Sequence, residues 1–217
     1  MLKANGQLLQ DLFTWKVLSR PTEGFFLDIG AGTGGIPYNS EMPGFYSNTY
    51  ALEEMGWTGI CLDNDVQWCE GAKKDRVGCK VICVDLLEKN VNDVLEEAKV
   101  PNNMQYLSLD VDDAQNKVFT ELDFNKYSFD VITFEHNLFQ SLPECTQNRS
   151  DEWKAKVAKE YAESKQKFSD LGYKLLWSDV ILDGYGPVED WWVSKEVYEA
   201  NKELRKHNAN CKGVLYI

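Results

Sequence analysis

At 217 residues, with 43% hydrophobic and 12% aromatic residues, the chain is too apolar for a disordered segment and has the size of one domain with its own core, so a single domain over residues 1–217 is expected. A formal charge of −12, with Lys and Arg scattered along the sequence, excludes the basic face on which nucleic acid or an anionic membrane would sit. No apolar run approaches the roughly 20 residues of a membrane span, and no basic stretch followed by an apolar one opens the chain.

The six cysteines, Cys61, Cys69, Cys79, Cys83, Cys145 and Cys211, form no Cys-x-x-Cys pair, and several lie in apolar runs such as Ile60-Cys61-Leu62 and Ile82-Cys83-Val84. Buried, reduced thiols in a cytoplasmic protein are expected.

Taken in chain order, strand-like and helix-like segments alternate. Residues 6–19 read as an amphipathic helix ending before Pro21, and Phe25 to Ile29 as a short apolar strand that stops at glycines. Ser47 to Met55 reads as a helix with Ser47 as its N-cap and Gly56 beyond its end. Strand two is Thr58 to Leu62, ending at Asp63; strand three is Lys80 to Val84, ending at Asp85. Asn92 caps a helix through Ala98. Strand four is Tyr106 to Leu109, ending at Asp110, and strand five is Phe129 to Phe134, ending at Glu135-His136-Asn137. A long helix starts near Ser150, with Trp153, Val157, Tyr161, Phe168 and Leu171 on one stripe and Gly172 closing it. Tyr173 to Leu182 and Glu189 to Ser194, joined through Gly184-Tyr185-Gly186-Pro187, predict an antiparallel hairpin at the sheet edge. Within that hairpin, alternation would turn one of Trp191 and Trp192 inward and the other outward. A helix over Glu196 to Lys206 and a strand over Val214 to Ile217 finish the chain.

This order implies an α/β fold with a doubly wound, mostly parallel sheet. Five successive strands end in acids: Asp28, Asp63, Asp85, Asp110 and Glu135. Ligands of such sheets bind outside the carboxyl ends of the strands, so these acids are expected to line one crevice.

Asp28-Ile29-Gly30-Ala31-Gly32-Thr33-Gly34-Gly35 follows strand one directly. Gly30 permits the tight turn and Gly32 the close approach of backbone to a ligand. Nicotinamide enzymes share the Gly-x-Gly-x-x-Gly spacing. Two features favour S-adenosylmethionine instead. The carboxylate of Asp28, two residues before Gly30, suits a cationic amino-acid end. Ile36 to Tyr46, with Pro37 and Pro43, separates the glycines from the next helix, whereas a pyrophosphate needs a helix N-terminus against the loop. Asp63 is then placed for ribose hydroxyls and Asp85 for the adenine amino group.

For an acceptor site, Asp110-Val111-Asp112-Asp113 follows strand four and Glu135-His136-Asn137 follows strand five. Methylation of an alcohol requires alignment and loss of the hydroxyl proton to a base or a metal-bound site. His136 is the better base by intrinsic pKa, with Asp110 beside it in the order of strands. Asp110, Glu135 and His136 could alternatively hold Mg2+ or Mn2+.

Phe26-Leu-Asp-Ile-Gly-Ala-Gly-Thr-Gly34, Ser47-Asn-Thr-Tyr50, Gly56-Trp-Thr-Gly-Ile-Cys-Leu-Asp63, Tyr106-Leu-Ser-Leu-Asp-Val111 and Val131-Ile-Thr-Phe-Glu-His-Asn137 together resemble the FkbM-type methyltransferases. The resemblance implies a Rossmann-like class I methyltransferase fold and S-adenosylmethionine-dependent O-methylation of a hydroxyl, often on a sugar or polyketide. Members include standalone enzymes and tail domains of larger glycan-building proteins, some of them viral, so a glycan or small-molecule substrate, with a deoxysugar such as rhamnose as acceptor, is the expectation. By position, Asp28, Gly30, Ala31, Gly32, Asn48, Asp63 and Asp85 carry cofactor contacts, and Asp110 and His136 carry chemistry. The alternatives are a nicotinamide-dependent oxidoreductase, which lacks a Tyr-x-x-x-Lys pair here, and a non-catalytic binding module built on the same fold.

Overall fold

The computed structural model describes residues 4–32, 47–142, 149–182 and 186–206. Two compact units divide the chain, Met1–Ile132 and Thr133–Ile217.

The first unit is organised around β1 (Phe25–Ile29), in which Phe26, Leu27 and Ile29 are wholly buried. β1 pairs in parallel with β2 (Thr58–Asp63) on one side, Phe25 opposite Thr58 and Ile29 opposite Leu62. On its other side it pairs in parallel with β4 (Asn103–Leu109), where Ile29 faces Leu109. β3 (Cys79–Cys83) adds in parallel to β2, with Asp63 opposite Cys83. This register brings the carboxyl ends of β1, β2 and β4 level, so the residues after them emerge at one edge.

Among the described residues five helices accompany these strands, one ahead of β1 and one after each of β1 to β4 in turn. α1 (Gln10–Val17) is shorter than residues 6–19 because Leu9, its N-cap, has φ +66° and Asp11 accepts the Asn5 and Gly6 N–H groups in a turn ahead of it. α2 (Tyr50–Glu54) starts three residues after Ser47, yet Ser47 Oγ accepts the Tyr50 N–H at 3.1 Å. α3 (Val66–Asp75) was not anticipated. Asp65 caps it by accepting the Gln67 and Trp68 N–H groups, so the local signal is an aspartate N-cap ahead of a helix that buries only Cys69 and Ala72. Asn90, not Asn92, caps α4 (Val91–Ala98), its side chain accepting the Asn92 N–H. α5 (Gln115–Glu121) follows β4 through a single 3-10 turn, Asp112–Ala114.

β5 (Ser128–Glu135) carries the chain into the second unit. There α6 (Asp151–Asp170) is capped by Ser150 and buries Val157 and Phe168 as its stripe predicts. β6 (Lys174–Leu182) and β7 (Gly186–Val193) form an antiparallel pair. The expected helix over Glu196 to Lys206 divides into α7 (Lys195–Ala200) and a 3-10 turn, Leu204–Lys206. The predicted strand at Val214 to Ile217 lies outside the described residues.

Among the described residues the sheet has seven strands, in the order β3-β2-β1-β4-β5-β7-β6. The α/β architecture with a mostly parallel sheet and an antiparallel edge hairpin is therefore as the sequence implies. Two details differ. Trp191 and Trp192 are both buried, at 0% and 2% exposure, because β7 is an interior strand covered on both faces. Cys61 and Cys69 are buried, but Cys79 is half-buried and Cys83 exposed, on the edge strand β3. All four thiols are free. Among the described residues no helix is long and apolar enough to cross a membrane.

Candidate functional site

At the carboxyl end of β1 the chain turns sharply. Gly30 has φ +88° and Gly32 φ +59°, conformations that favour glycine. The Gly30 and Ala31 N–H groups both donate to Leu62 O, at 2.9 and 3.2 Å, which pins the turn to the end of β2. Asp63 Oδ2 accepts the Gly32 N–H at 2.8 Å, and Oδ1 accepts the Asp65 N–H at 2.9 Å. Asp63 thus holds the glycine turn and starts the loop to α3. Burial is the main influence on its carboxyl and raises its pKa, opposed by those backbone donors. Gly34 and Gly35 lie outside the described residues.

Asp28, in β1 two residues before Gly30, is 1% exposed. Thr49 Oγ1 donates to its Oδ2 at 2.6 Å, and Arg76 Nη1 lies 3.9 Å away, a loose ion contact. Burial pushes its pKa up to about 6, against the opposing effects of Arg76, Thr49 and Ser108. Arg76 is itself clamped: Nε donates to Glu53 Oε2 at 2.7 Å, Nη1 to Ser47 Oγ at 3.2 Å and Nη2 to Thr49 Oγ1 at 2.8 Å. Burial works against its charge, yet Cys61, Cys79, Asp28 and Glu53 hold its pKa above the ordinary arginine value. Asn48 is also buried, its Nδ2 donating to Ser108 Oγ at 3.0 Å.

Asp85 is exposed just beyond β3, and its Oδ1 accepts the Leu87 N–H at 2.8 Å. Asp110, part-exposed, follows β4, and its own N–H donates to Ile29 O at 2.9 Å. In the first unit the structure therefore places Asp28, Gly30, Ala31, Gly32, Asn48, Asp63, Asp85 and Asp110 at or near the carboxyl ends of β1 to β4. The Asp63 and Asp85 carboxylates are hydrogen-bond acceptors for hydroxyl and amino groups. The buried carboxylate of Asp28 is engaged by Thr49 and lies near Arg76. Sequence reasoning missed Thr49 and Arg76, whose roles depend on long-range contacts with no local signature.

In the second unit, His136 is 4% exposed. Its N–H donates to Val188 O at 2.7 Å, and its Nδ1 accepts a long 3.4 Å contact from the Leu138 N–H. Nε2 is buried and lies 3.6 Å from Asp190 Oδ1. The His136 and Tyr161 rings meet edge to face at 4.6 Å. Tyr161 Oη donates to Asp179 Oδ1 and Ser178 Oγ to Asp179 Oδ2, each at 2.6 Å. Among the described residues, His136, Asp179 and Asp190 are the group whose ligand atoms lie within 4.8 Å of one another. The group does not include Asp110 or Glu135, the acids expected to share a metal with His136. Consecutive residues at a strand end point apart, which separates Glu135 from its neighbour. An acid in the middle of the apolar run Leu175–Leu182 was the available signal for Asp179.

No family model matches the chain, and no curated protein matches it. Solved structures do. The cofactor-bound Rv0187 from MTB superposes with a TM-score of 0.58 at 13% identity, covering 90% of this chain and 82% of that one. Fibrillarin from Aeropyrum pernix, with natively bound S-adenosyl-L-methionine, gives 0.53 at 12% identity, covering 87% and 74%. An O-methyltransferase from Bacillus cereus in complex with SAH gives 0.51 at 13% identity, covering 89% and 84%. The chain has the class I methyltransferase fold. The methyltransferase-type sheet departs from the order 3-2-1-4-5-6 of dinucleotide-binding folds by inserting an antiparallel seventh strand between the fifth and sixth.

Proposed function

We propose that this chain transfers a methyl group from S-adenosylmethionine to a hydroxyl of a glycan or small molecule, with a deoxysugar such as rhamnose as the acceptor class. The observation that carries the cofactor assignment is Asp63 fastened to the Gly32 N–H at the level ends of β1 and β2, in a sheet of methyltransferase order. The acceptor class rests on the resemblance to FkbM-type enzymes alone.

Bound there, S-adenosylmethionine supplies an electrophilic methyl on a sulfonium whose leaving group is neutral. The protein must align the acceptor hydroxyl and take its proton. Two residues are assigned this task, Asp110 and His136. Asp110 is part-exposed beyond β4, whereas His136 Nε2 is buried and Nδ1 already accepts a backbone N–H. Asp110 is therefore our choice for the base. Trp191 and Trp192, both buried, provide no stacking face for a sugar.

Calorimetric titration with S-adenosylhomocysteine and, separately, NAD tests the cofactor. Saturation by the former alone supports the proposal; saturation by NAD alone replaces it with an oxidoreductase. Binding of neither leaves a non-catalytic module. Acceptor screening of rhamnosides then follows, with Asp110→Asn expected to retain S-adenosylhomocysteine and to lose turnover.

A further inference from the structure

Two polar atoms in the second unit, His136 Nε2 and Asp190 Oδ2, are buried without a hydrogen-bond partner among the described residues, and His136 Nε2 lies 3.6 Å from the other Asp190 oxygen. Their side chains are 3% and 1% exposed. Leaving such atoms unmatched is costly, and more so for a charged group. The third member of the group, Asp179, is brought in by an irregularity of β6. The register of the hairpin shifts between Trp177 and Val180, and Asp179 there has φ +57°. A β-bulge of this kind redirects a side chain that regular alternation would place elsewhere. Asp179 N–H donates to Asp190 Oδ1 at 2.9 Å, which locks the bulge to the acid on β7.

We propose that His136, Asp179 and Asp190 bind one divalent transition-metal ion of the zinc and manganese class. One imidazole nitrogen and two carboxylates make a mixed N/O donor set, which suits these ions better than calcium or magnesium. Two ligands about 2.1 Å from a tetrahedral ion stand roughly 3.4 Å apart. His136 Nε2 and Asp190 Oδ1 are 3.6 Å apart. Asp179 needs only a side-chain adjustment, since its ligand atom is within 4.8 Å of the others. Tyr161 Oη and Ser178 Oγ, both donating to Asp179, act as outer partners that aim its carboxylate. Ligation through Nε2 places the ring proton on Nδ1, so the long contact from Leu138 N–H is given up.

Lys165 competes with the ion. Its Nζ lies 3.6 Å from Asp190 Oδ2, donates to Ser178 Oγ at 2.7 Å and sits 4.3 Å over the Tyr161 ring. Without a metal it is the cation that offsets the two carboxylates. Its side chain is 27% exposed and can leave toward water when a doubly charged ion enters.

Lys165 therefore gives the site a distinguishing test. The EDTA-dialysed protein is titrated with MnCl2 while the free Mn2+ signal is followed by electron paramagnetic resonance; Zn2+ binding is followed by competition with a chromophoric chelator. One tight ion per chain is expected, lost in Asp190→Asn and in Asp179→Asn, where Asn tolerates the left-handed backbone. Lys165→Met should tighten binding about tenfold by removing a nearby positive charge. Asp110→Asn should leave it unchanged. Far-UV circular dichroism checks that the variants are folded, and Lys165→Met keeps the proposal testable should an acid variant unfold. No tight ion, an ion that survives both acid variants in folded protein, or Lys165→Met failing to strengthen binding would each overturn the site. Metal binding is read without S-adenosylmethionine, so its failure is separable from failure of the methyl-transfer proposal.

Discussion

Gly30 and Asp110 meet backbone against backbone: a Cβ on Gly30 would lie 1.6 Å from the Asp110 carbonyl oxygen. The turn after β1 and the end of β4 can be this close only without a side chain. Gly30→Ala must therefore displace the end of β4 and also adopt φ +88°. Left-handed backbone costs about 1–2 kcal/mol and overpacking about 1–3 kcal/mol. We expect a loss of about 3 kcal/mol in urea denaturation, together with loss of S-adenosylhomocysteine binding. A loss below about 1 kcal/mol would show that the two strand ends separate easily.

Arg76 donates to three partners, Glu53, Ser47 and Thr49, and its side chain is fully buried. Removing one member of a buried ion pair costs about 3–5 kcal/mol, because the remaining charge keeps its desolvation penalty without its partner. Arg76→Met is expected in that range. Glu53→Gln in the same chain should recover part of it, since it neutralises the stranded carboxylate. A double-mutant cycle by chemical denaturation checks this; strictly additive losses would mean that Arg76 and Glu53 contribute independently.

The contrast between these two residues shows what sequence can convey. Gly30 was legible because an apolar run stopping at Gly-Ala-Gly has few backbone solutions. The strand-end acids Asp63, Asp85 and Asp110 were legible because strand periodicity and their position fix where they emerge. Arg76 was not, because its partners lie 23 to 29 residues away along the chain and nothing local marks it as buried. Asp28 was placed correctly beside the turn, but its engagement by Thr49 depends on packing that periodicity does not encode. In the hairpin, β6 and β7 were found in sequence, yet alternation failed at Trp191 and Trp192 because β7 is covered on both faces. Asp179 drew no assignment in sequence, because the register shift that carries it is set by pairing with β7. Both cases follow from neighbours supplied by the tertiary fold.

Asp28 also gives the protein a pH dependence of defined sign. Burial lifts its pKa from 3.8 to about 6 in the folded state. The folded protein thus binds the proton more tightly than the unfolded chain does, and stability from this group is full below about pH 4 and lost as pH rises through 6. A displacement of this size corresponds to roughly 3 kcal/mol. Asp11 and Asp63 are raised as well, chiefly by burial, and act in the same direction. The comparison is between wild type and Asp28→Asn, by thermal denaturation from pH 4.5 to 7. The variant should lack part of the fall in stability seen in wild type over this range. Parallel curves would show that Asp28 stays charged in the folded protein across it.

Asp63 and Asp85 should differ sharply in what they do for the cofactor. Asp63 holds the Gly32 N–H and the Asp65 N–H, so its replacement loosens the glycine turn as well as removing the acceptor that the proposal assigns to the cofactor. Asp85 is exposed and holds only the start of the turn after β3, through Leu87. Charge-assisted hydrogen bonds contribute about 1.5–3 kcal/mol and ordinary ones about 1 kcal/mol. Asp63→Asn should therefore weaken S-adenosylhomocysteine on the order of 100-fold, and Asp85→Asn by roughly fivefold, both read by calorimetry. Adenosine alone should lose nearly as much as S-adenosylhomocysteine in Asp63→Asn, because the proposal assigns the nucleoside to this acid. Equal, small losses in the two variants would place the nucleoside away from the ends of β2 and β3, and the cofactor proposal would fall with it.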